Sequence, residues 1–285
     1  MSELKLIECP RDAMQGLKDF IPAEQKAEYI NQLLKVGFDT IDFGSFVSPK
    51  AIPQMKDTAE VLSKLNMNDT NSKLLAIVAN ERGANDAVQF DEINYLGFPF
   101  SISETFQQRN TNSSIEESLT RVEGIQNLAD KHKKELVVYI SMAFGNPYED
   151  DWNAEIAINW SKRLSDMGVK ILALSDTIGC GTPESISYLF KNLIPELPNV
   201  EFGAHLHSTP DKVREKVEAA FKSGCNRFDG AIKGFGGCPM AKDDLTGNMH
   251  TELIKMYFDE NNIKTGLDSE AFNTAMQLAD RVFPH

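Results

Sequence analysis

The chain has 285 residues, of which 41% are hydrophobic and 25% are charged, and its formal net charge is −13. This composition is typical of a globular protein, and we expect one catalytic domain over residues 1–285. The acidic balance argues against a nucleic-acid partner, which would require a basic face. No run approaches the roughly 20 apolar residues of a membrane span, and the chain begins directly with an apolar run, so we expect neither a membrane partner nor a secretory segment. Four widely spaced cysteines form no disulfide framework, which favours a cytoplasmic protein with reduced thiols.

Short apolar, β-branched runs alternate along the chain with longer stretches of helical period. The predicted strands are 4–9, 39–44, 73–79, 92–98, 135–142, 170–176, 200–207 and 227–234. The predicted helices are about 22–36, 53–65, 81–89, 113–133, 152–167, 183–194, 210–223 and 244–260. Eight alternations favour a (β/α)8 TIM barrel over about 4–260, followed by an extra C-terminal helix over about 266–283. The rival is a doubly wound open sheet, but no G-x-G-x-x-G turn follows the first run.

Glycines and capping residues indicate where several of the predicted helices begin and end. Gly37, Gly168 and Gly224 each follow a predicted helix and precede a strand. This is the position that short helix-to-strand loops favour for glycine. Ser113 is the predicted cap of the helix that follows it, and Pro183 occupies a first helical position after Thr182.

Polar side chains concentrate where the predicted strands end, the edge of a TIM barrel that carries active sites. The candidates there are Arg11, Asp12, Gln15, Lys18, Asp42, Asp176, His205, His207 and Cys238. Lys18 and Lys50 could meet anionic groups of a substrate, although lysines near loops are usually solvated.

The pair His205 and His207 closes an apolar run, and alternate residues of a strand project to the same side. Together with Asp12 and the amide oxygen of Asn248, these imidazoles could hold an octahedral divalent cation with open positions for substrate oxygens. Alternatively, both histidines are hydrogen-bonded residues of the barrel rim without a metal.

Three further residues each have more than one interpretation. Arg11 could hold a developing oxyanion or form a surface ion pair, and Asp42 could be a general base, an orienting group or a cap. Cys238 follows a glycine-rich segment, G-F-G-G, and could transfer a proton or be an incidental thiol.

Several segments together resemble the hydroxymethylglutaryl-CoA lyases, within the metal-dependent lyases and Claisen-type synthases built on TIM barrels. The segments are IECPRDAMQGLK, GFDTIDFGSFVSPKAIPQM, NTNSSIEES, GNPYEDD, LSDTIGCGTP, HLHST and GFGGCPMAKDDLTGNMHTE. The resemblance implies cleavage of 3-hydroxy-3-methylglutaryl-CoA to acetyl-CoA and acetoacetate, with an acyl-CoA substrate, a homodimer and a place in leucine degradation and ketone-body metabolism.

The resemblance also implies roles for individual residues. A divalent metal, Mg²⁺ or Mn²⁺, would be held by Asp12, His205, His207 and Asn248. Arg11 would stabilise an enolate, Cys238 would assist proton transfer, and Asp42 stands where the family often has glutamate. The remaining matches, which we expect to bind substrate, are Gln15, Lys18 and Asp176.

The chain departs from the family where Ser208-Thr209 replaces the usual Asp-Thr after the second histidine, and where Ala13-Met14 replaces Gly-Leu. Three alternatives therefore stay open. The first is a lyase for a related 3-hydroxyacyl-CoA, with Ser208, Phe43 and Met142 as the acyl-pocket residues. The others are a synthase that condenses acetyl-CoA with a keto acid and a non-catalytic barrel that binds metal or acyl-CoA.

Overall fold

Eight parallel strands close into a barrel in chain order in the computed structural model, which describes residues 3–237 and 246–283. The predicted (β/α)8 fold is thus confirmed, with a strand at each predicted run, although β2 and β4 extend past the predicted ends at 44 and 98. The strands are β1 (Lys5–Glu8), β2 (Thr40–Ser45), β3 (Lys73–Ile77), β4 (Ile93–Ser101), β5 (Glu135–Ser141), β6 (Ile171–Asp176), β7 (Glu201–Leu206) and β8 (Arg227–Gly230).

Helices connect the strands and include two that the sequence did not predict, α1 and α5. The helices are α1 (Pro10–Gln15), α2 (Ala23–Val36), α3 (Thr58–Ser63), α4 (Glu81–Ala87), α5 (Glu104–Thr111), α6 (Ile115–Lys131), α7 (Ala154–Asp166), α8 (Pro183–Glu196), α9 (Val213–Lys222), α10 (Thr251–Glu260) and α11 (Ser269–Val282). The predicted helix over 53–65 is interrupted, because a 3-10 turn at Pro53–Met55 precedes α3. None of the helices among the described residues is long and apolar enough to cross a membrane.

The predicted glycines and capping residues explain where several helices begin and end. Gly37, Gly168 and Gly224 have φ angles of 86°, 92° and 98°, a left-handed conformation that glycine adopts without steric cost. Thr182 caps α8 with Pro183 in its first turn, as predicted. The cap of α6 is Ser114 instead of the predicted Ser113, because Ser114 forms a reciprocal pair of hydrogen bonds with Glu117 three residues later.

The interior of the barrel has an apolar half and a polar half. Strands β3 to β6 fill their half with an apolar cluster of Leu75, Ile77, Tyr95, Val137, Tyr139, Ile171 and Ala173. The alternate residues of β3, Leu74 and Ala76, pack outward into the larger core against the helices. The other half carries charges, since Arg227 lies 5.8 Å from the centre of the Tyr95 ring and His205 packs edge-on against Tyr139. Arg227 and His205 thus lie on the side of the barrel interior that faces this apolar cluster.

The C-terminal helix α11 lies against α2 and covers the side of the barrel near β1, in agreement with the predicted extension. The Phe272 ring packs against Phe38, and the Phe283 ring meets Tyr29 edge-on at 5.6 Å. Phe283 also stacks on Phe235 at 4.5 Å. The helix therefore supports the described part of the glycine-rich segment.

A buried carboxyl group joins β1 to the segment after β8. Glu8 accepts hydrogen bonds from the Ile232 backbone N–H at 2.8 Å and from the Thr251 hydroxyl at 2.6 Å. Burial raises the pKa of Glu8 from 4.5 to about 8, against the smaller lowering effect of these hydrogen bonds.

We expect the stability of the protein to depend on the ionisation of Glu8. Because its pKa is raised in the folded state, its contribution is complete below about pH 4.5 and is lost as the pH rises toward 8. Glu8→Gln keeps the shape of the side chain but cannot ionise. The free energy of unfolding of this variant, relative to that of the native protein, should therefore rise between about pH 5 and about pH 8, by at most about 1.4 kcal/mol per pH unit. Urea unfolding across this range measures the difference, and a pH-independent difference would contradict the assignment.

Candidate active site

The first residues of the site lie on α1, which starts directly after β1. Pro10 occupies the first turn of this helix, where its missing N–H costs nothing. Arg11 and Gln15 are four residues apart and therefore lie on the same helix face, and Arg11 Nη1 donates to Gln15 Oε1 at 2.9 Å. Asp12 lies beside them and accepts from Arg11 Nη1 at 3.0 Å.

Arg11 is held by two carboxylates and keeps one donor free. Nε and Nη2 donate to the Asp42 carboxylate, with Nε at 3.0 Å from Oδ2. Nη1 uses its two N–H groups on Asp12 and Gln15. A guanidinium has five N–H donors, so one Nη2–H remains without a partner among the residues that the structure describes. This donor is available to an oxygen in the cavity that Arg11 lines.

Asp42 lies behind Arg11 and is 1% exposed at its side chain. Burial raises its pKa to about 6, even though the Arg11 guanidinium works in the opposite direction. Asp42 does not line the cavity, and both of its oxygens contact Arg11. This geometry favours the orienting role over the general-base role that the sequence left open.

Asp12 remains ionised at the centre of the site. Burial opposes its charge, but the Arg11 guanidinium and the two histidines together hold the pKa of Asp12 below its usual value. Gln15 Nε2 donates to Oδ1 at 2.5 Å, and Asn248 Nδ2 donates to Oδ2 at 2.7 Å. Oδ1 also accepts from Arg11 Nη1, whereas Oδ2 keeps a lone pair, so the carboxylate can still bind a cation through Oδ2.

His205 and His207 project into the same space, as their spacing predicted, with ring centroids 5.6 Å apart. One ligand atom each from Asp12, His205 and His207 lie within 4.8 Å of one another. Burial and the neighbouring His205 lower the pKa of His207 to about 4, so its ring is neutral at physiological pH. Its buried Nδ1 has no hydrogen-bond partner within residues 3–237 and 246–283.

Asn248 completes the group from the segment before α10. Its amide nitrogen donates hydrogen bonds to Asp12 Oδ2 and, at 3.0 Å, to the Phe235 carbonyl oxygen. The amide oxygen is therefore the atom of this side chain that could bind a cation. A backbone bridge pairs Asn248 with His207 in antiparallel fashion. The sequence separates these residues by 41 positions, but the fold places them side by side.

The residues present fit a hard divalent cation. A carboxylate, two imidazoles and an amide oxygen match the preferences of Mg²⁺ or Mn²⁺, and the unpartnered nitrogen of His207 is an atom that a cation would satisfy. A second group, Cys9 with His205 and Asp229, has ligand atoms equally close. Burial and four nearby carboxyl groups raise the pKa of Cys9 well above its usual value, so the thiol stays protonated and does not compete.

The described residues enclose a cavity of about 420 Å³ at the C-terminal ends of the strands. Arg11, Asp12, Gln15, His205 and His207 contribute to its lining, as does Arg109, and the other lining residues are a mixture of apolar and neutral polar side chains. The apolar and neutral polar lining includes Val47, Ile52, Ile77, Pro99, Phe106, Tyr139, Ser45, Ser141, Ser175, Thr177, Asn80 and Asn110.

Some of the predicted site residues lie elsewhere. Lys18 and Lys50 are exposed and do not line the cavity. Asp176 is fully buried and forms an ion pair with Lys216 at 2.7 Å, and it is likewise absent from the cavity wall. Cys238 lies outside the residues that the structure describes. The expected acyl-pocket residues, Phe43, Met142 and Ser208, are buried but do not contribute to the wall.

The sequence missed several residues that the fold brings to the site. Phe106, Arg109 and Asn110 reach the cavity from α5, a helix without an apolar period, so the pattern gave no signal for it. Asp229 contacts His205 from β8 at 3.0 Å. Its position two residues after Arg227, with the alternation of a strand, could have indicated an inward polar pair.

Comparisons with known proteins agree with this geometry. An HMGL-like family profile matches residues 4–279. The Rattus norvegicus protein named 3-hydroxy-3-methylglutaryl-CoA lyase, cytoplasmic, is 34% identical over 93% of this chain and 77% of its own length. A Pseudomonas aeruginosa protein named 3-hydroxy-3-isohexenylglutaryl-CoA/hydroxy-methylglutaryl-CoA lyase is 32% identical over 96% of this chain and 91% of its own length.

A solved structure gives the same result in three dimensions. The crystal structure of hydroxymethylglutaryl-CoA lyase from Pseudomonas aeruginosa matches with a TM-score of 0.90 at 32% identity, covering 98% of this chain and 93% of that one. Strand order, the group of candidate metal ligands at the strand ends and these similarities agree, and the chain belongs to the HMGL-like family, among the hydroxymethylglutaryl-CoA lyases.

Proposed function

We propose that this protein cleaves 3-hydroxy-3-methylglutaryl-CoA to acetyl-CoA and acetoacetate. The observation that carries the proposal is the convergence of Asp12, His205 and His207 within 4.8 Å at a cavity that Arg11 also lines. Relatives with this activity in their names cover nearly the whole chain. The non-catalytic and synthase alternatives gain no comparable support.

Asp12, His205, His207 and Asn248 would hold the divalent cation, Mg²⁺ or Mn²⁺. When bound, the cation would supply Lewis-acid polarisation of substrate oxygens. Asp12 brings the negative charge, and the low pKa of His207 keeps its lone pairs free for ligation at neutral pH. Gln15 contributes by donating to Asp12 and thereby fixing its carboxylate.

Arg11 acts on the charge that the reaction develops. A base must take the proton of the 3-hydroxyl group, and the candidates are Asp42 and His205, of which His205 lines the cavity. Transfer of this proton lets the electrons of the oxygen form the ketone of acetoacetate, while the C2–C3 bond pair passes to the thioester as an enolate. The one free N–H of Arg11 can donate to that enolate oxygen. Asp42 fixes the guanidinium through its contacts with Nε and Nη2, so the donor is oriented before the reaction begins.

A proton must then reach the enolate carbon to form acetyl-CoA. We assign this step to Cys238, on the basis of the family resemblance and of its position in the chain directly after Gly236 and Gly237. Gly236 packs against the site, since a Cβ there would lie 2.7 Å from the Asp12 carbonyl oxygen. The chain thus approaches the site immediately before Cys238.

A larger acyl group is the second candidate for the substrate. The Pseudomonas aeruginosa relative is named for a 3-isohexenyl substrate as well as for the methyl compound. The wall opposite the polar residues includes Val47, Ile52, Ile77 and Phe106, which would suit an apolar substituent at C3. Comparing kcat/KM for the two acyl-CoA esters decides between the substrates. The homodimer, the cytoplasmic location and the substrate contacts of Lys18 and Asp176 stay predictions.

Removing the cation should abolish turnover. With racemic hydroxymethylglutaryl-CoA and Mg²⁺, we expect acetyl-CoA release to stop on addition of EDTA and to return with excess Mg²⁺. His207→Ala should lower kcat/KM by about 100-fold or more, because even residues behind metal ligands commonly contribute 10- to 100-fold. The control His132→Ala changes a residue at the end of α6 and should keep full activity. Turnover that resists EDTA would exclude the metal-dependent mechanism.

Cys238→Ser tests the proton donor separately from the metal site. A hydroxyl is a much weaker acid than a thiol, so kcat should fall by about 100-fold while affinity for Mn²⁺ stays unchanged. The control Cys180→Ser replaces a thiol that is exposed and lies outside the cavity wall, and it should leave kcat unchanged. Full activity of Cys238→Ser would refute the assignment of this thiol.

A further inference from the structure

Behind the metal-ligating group lies a carboxylate to which the sequence assigned no role. Asp229 is on β8, its side chain is 1% exposed, and its Oδ2 is 3.0 Å from Nδ1 of His205. The register pairs Gly203 of β7 with Arg227 of β8, and two residues further along His205 stands opposite Asp229. The contact is therefore fixed by two adjacent strands.

The contact determines which nitrogen of His205 is available to a cation. A carboxylate accepts a hydrogen bond, so in the neutral ring Nδ1 carries the proton and Nε2 keeps its lone pair. Because Nδ1 is engaged by Asp229, Nε2 is the ring atom free to meet Asp12 and His207. The Tyr139 ring lies edge-on at 5.2 Å and restrains the plane of the imidazole.

An arginine on the same strand balances the charge of Asp229. Arg227 lies two residues earlier, is 1% exposed, and donates from Nη1 to Glu201 at 3.1 Å. Its Nε and Nη2, like Asp229 Oδ1, have no hydrogen-bond partner in the described part of the chain. The attraction between the two groups is one reason why Arg227 stays charged despite burial. Gly203 provides the space, since a Cβ there would lie 3.1 Å from Arg227 Cδ.

We propose that Asp229 is a positioning residue of the metal site, which selects the His205 tautomer with a free Nε2 and holds the ring toward Asp12 and His207. Arg227 supplies a buried positive charge on the same strand as Asp229, and Glu201 anchors Arg227 at the opposite end of the barrel. The series Glu201, Arg227, Asp229 and His205 thus links the base of the barrel to the metal ligands. The link to turnover rests on the proposed lyase function, whereas the effect on metal binding does not.

The first test determines the tautomer in the native protein without any substitution at Asp229. Long-range ¹H–¹⁵N spectra of the EDTA-treated protein distinguish a protonated Nδ1 from a protonated Nε2, and a His205→Gln variant assigns the signals. We expect a protonated Nδ1 and an unprotonated Nε2 on His205. The opposite tautomer would overturn the proposal.

The second test compares Mn²⁺ affinity by calorimetry in three variants. Asp229→Ala should weaken binding about 10- to 100-fold, as is typical for partners of metal-bound histidines, and Asp229→Asn should restore part of the loss because it keeps an acceptor. Glu8→Gln is the matched control, because it alters another buried carboxyl group at a strand end that has no contact with a candidate ligand residue. Its Mn²⁺ affinity should lie within about twofold of that of the native protein.

The readouts separate the possible failures. If Asp229→Ala binds Mn²⁺ like the native protein, the positioning role is refuted. If it does not fold, the tautomer measurement and Asp229→Asn decide the question. If the affinity pattern holds but hydroxymethylglutaryl-CoA is not cleaved, the lyase function fails and the role of Asp229 stands.

Discussion

The site depends on the mutual compensation of charges that the barrel removes from water. Arg11 lies between Asp12 and Asp42, and Asp229 lies near Arg227. A buried ion pair contributes little net stability, but loss of one partner leaves an uncompensated charge and costs about 3–5 kcal/mol. Buried ion pairs therefore add little to the stability of the fold. Their concentration in one half of the barrel is explained better by the reaction that they support.

The charge balance of the site suits the proposed reaction. Arg11 and Arg109, which both line the cavity, carry two positive charges, and Asp12 and Asp42 carry two negative charges, so these four groups cancel. A divalent cation would leave a net charge of +2, which the free carboxylate of the acyl group would partly compensate. Electrostatics at the site thus favours an anionic substrate even though the whole protein has a net charge of −13.

The two halves of the barrel have separate tasks. Strands β3 to β6 provide an apolar interior in which Gly97 leaves room for Ile77 and Tyr139, and both of these side chains reach the cavity wall. Strands β7, β8, β1 and β2 provide the imidazoles and carboxylates. A substrate bound between them would contact an apolar surface on one side and reactive groups on the other, which is the arrangement needed to hold a carbon skeleton while its oxygens are polarised.

The sequence predicted the strands because apolar β-branched runs are a local signal, and it predicted the ligand residues because parallel strands end at the same edge. It could not predict α1, which has six residues and no periodicity, or α5, whose sequence ETFQQRNT lacks an apolar stripe. The contacts of Asp229 and Asp176 could not be predicted either. They depend on which neighbouring side chain a buried charge meets, and that is a property of tertiary structure.

Lys216 shows how strongly such a contact can alter the role of a residue. It projects from the inner face of α9 and donates to Asp176 Oδ2 at 2.7 Å, to the His207 carbonyl oxygen at 2.8 Å and to the Gly179 carbonyl oxygen at 3.0 Å. A buried ammonium needs these three acceptors, so it ties the segment after β6 to the end of β7. Asp176 is thereby drawn away from the cavity. Through Lys216 its carboxylate therefore helps to position the backbone of His207, one of the candidate metal ligands.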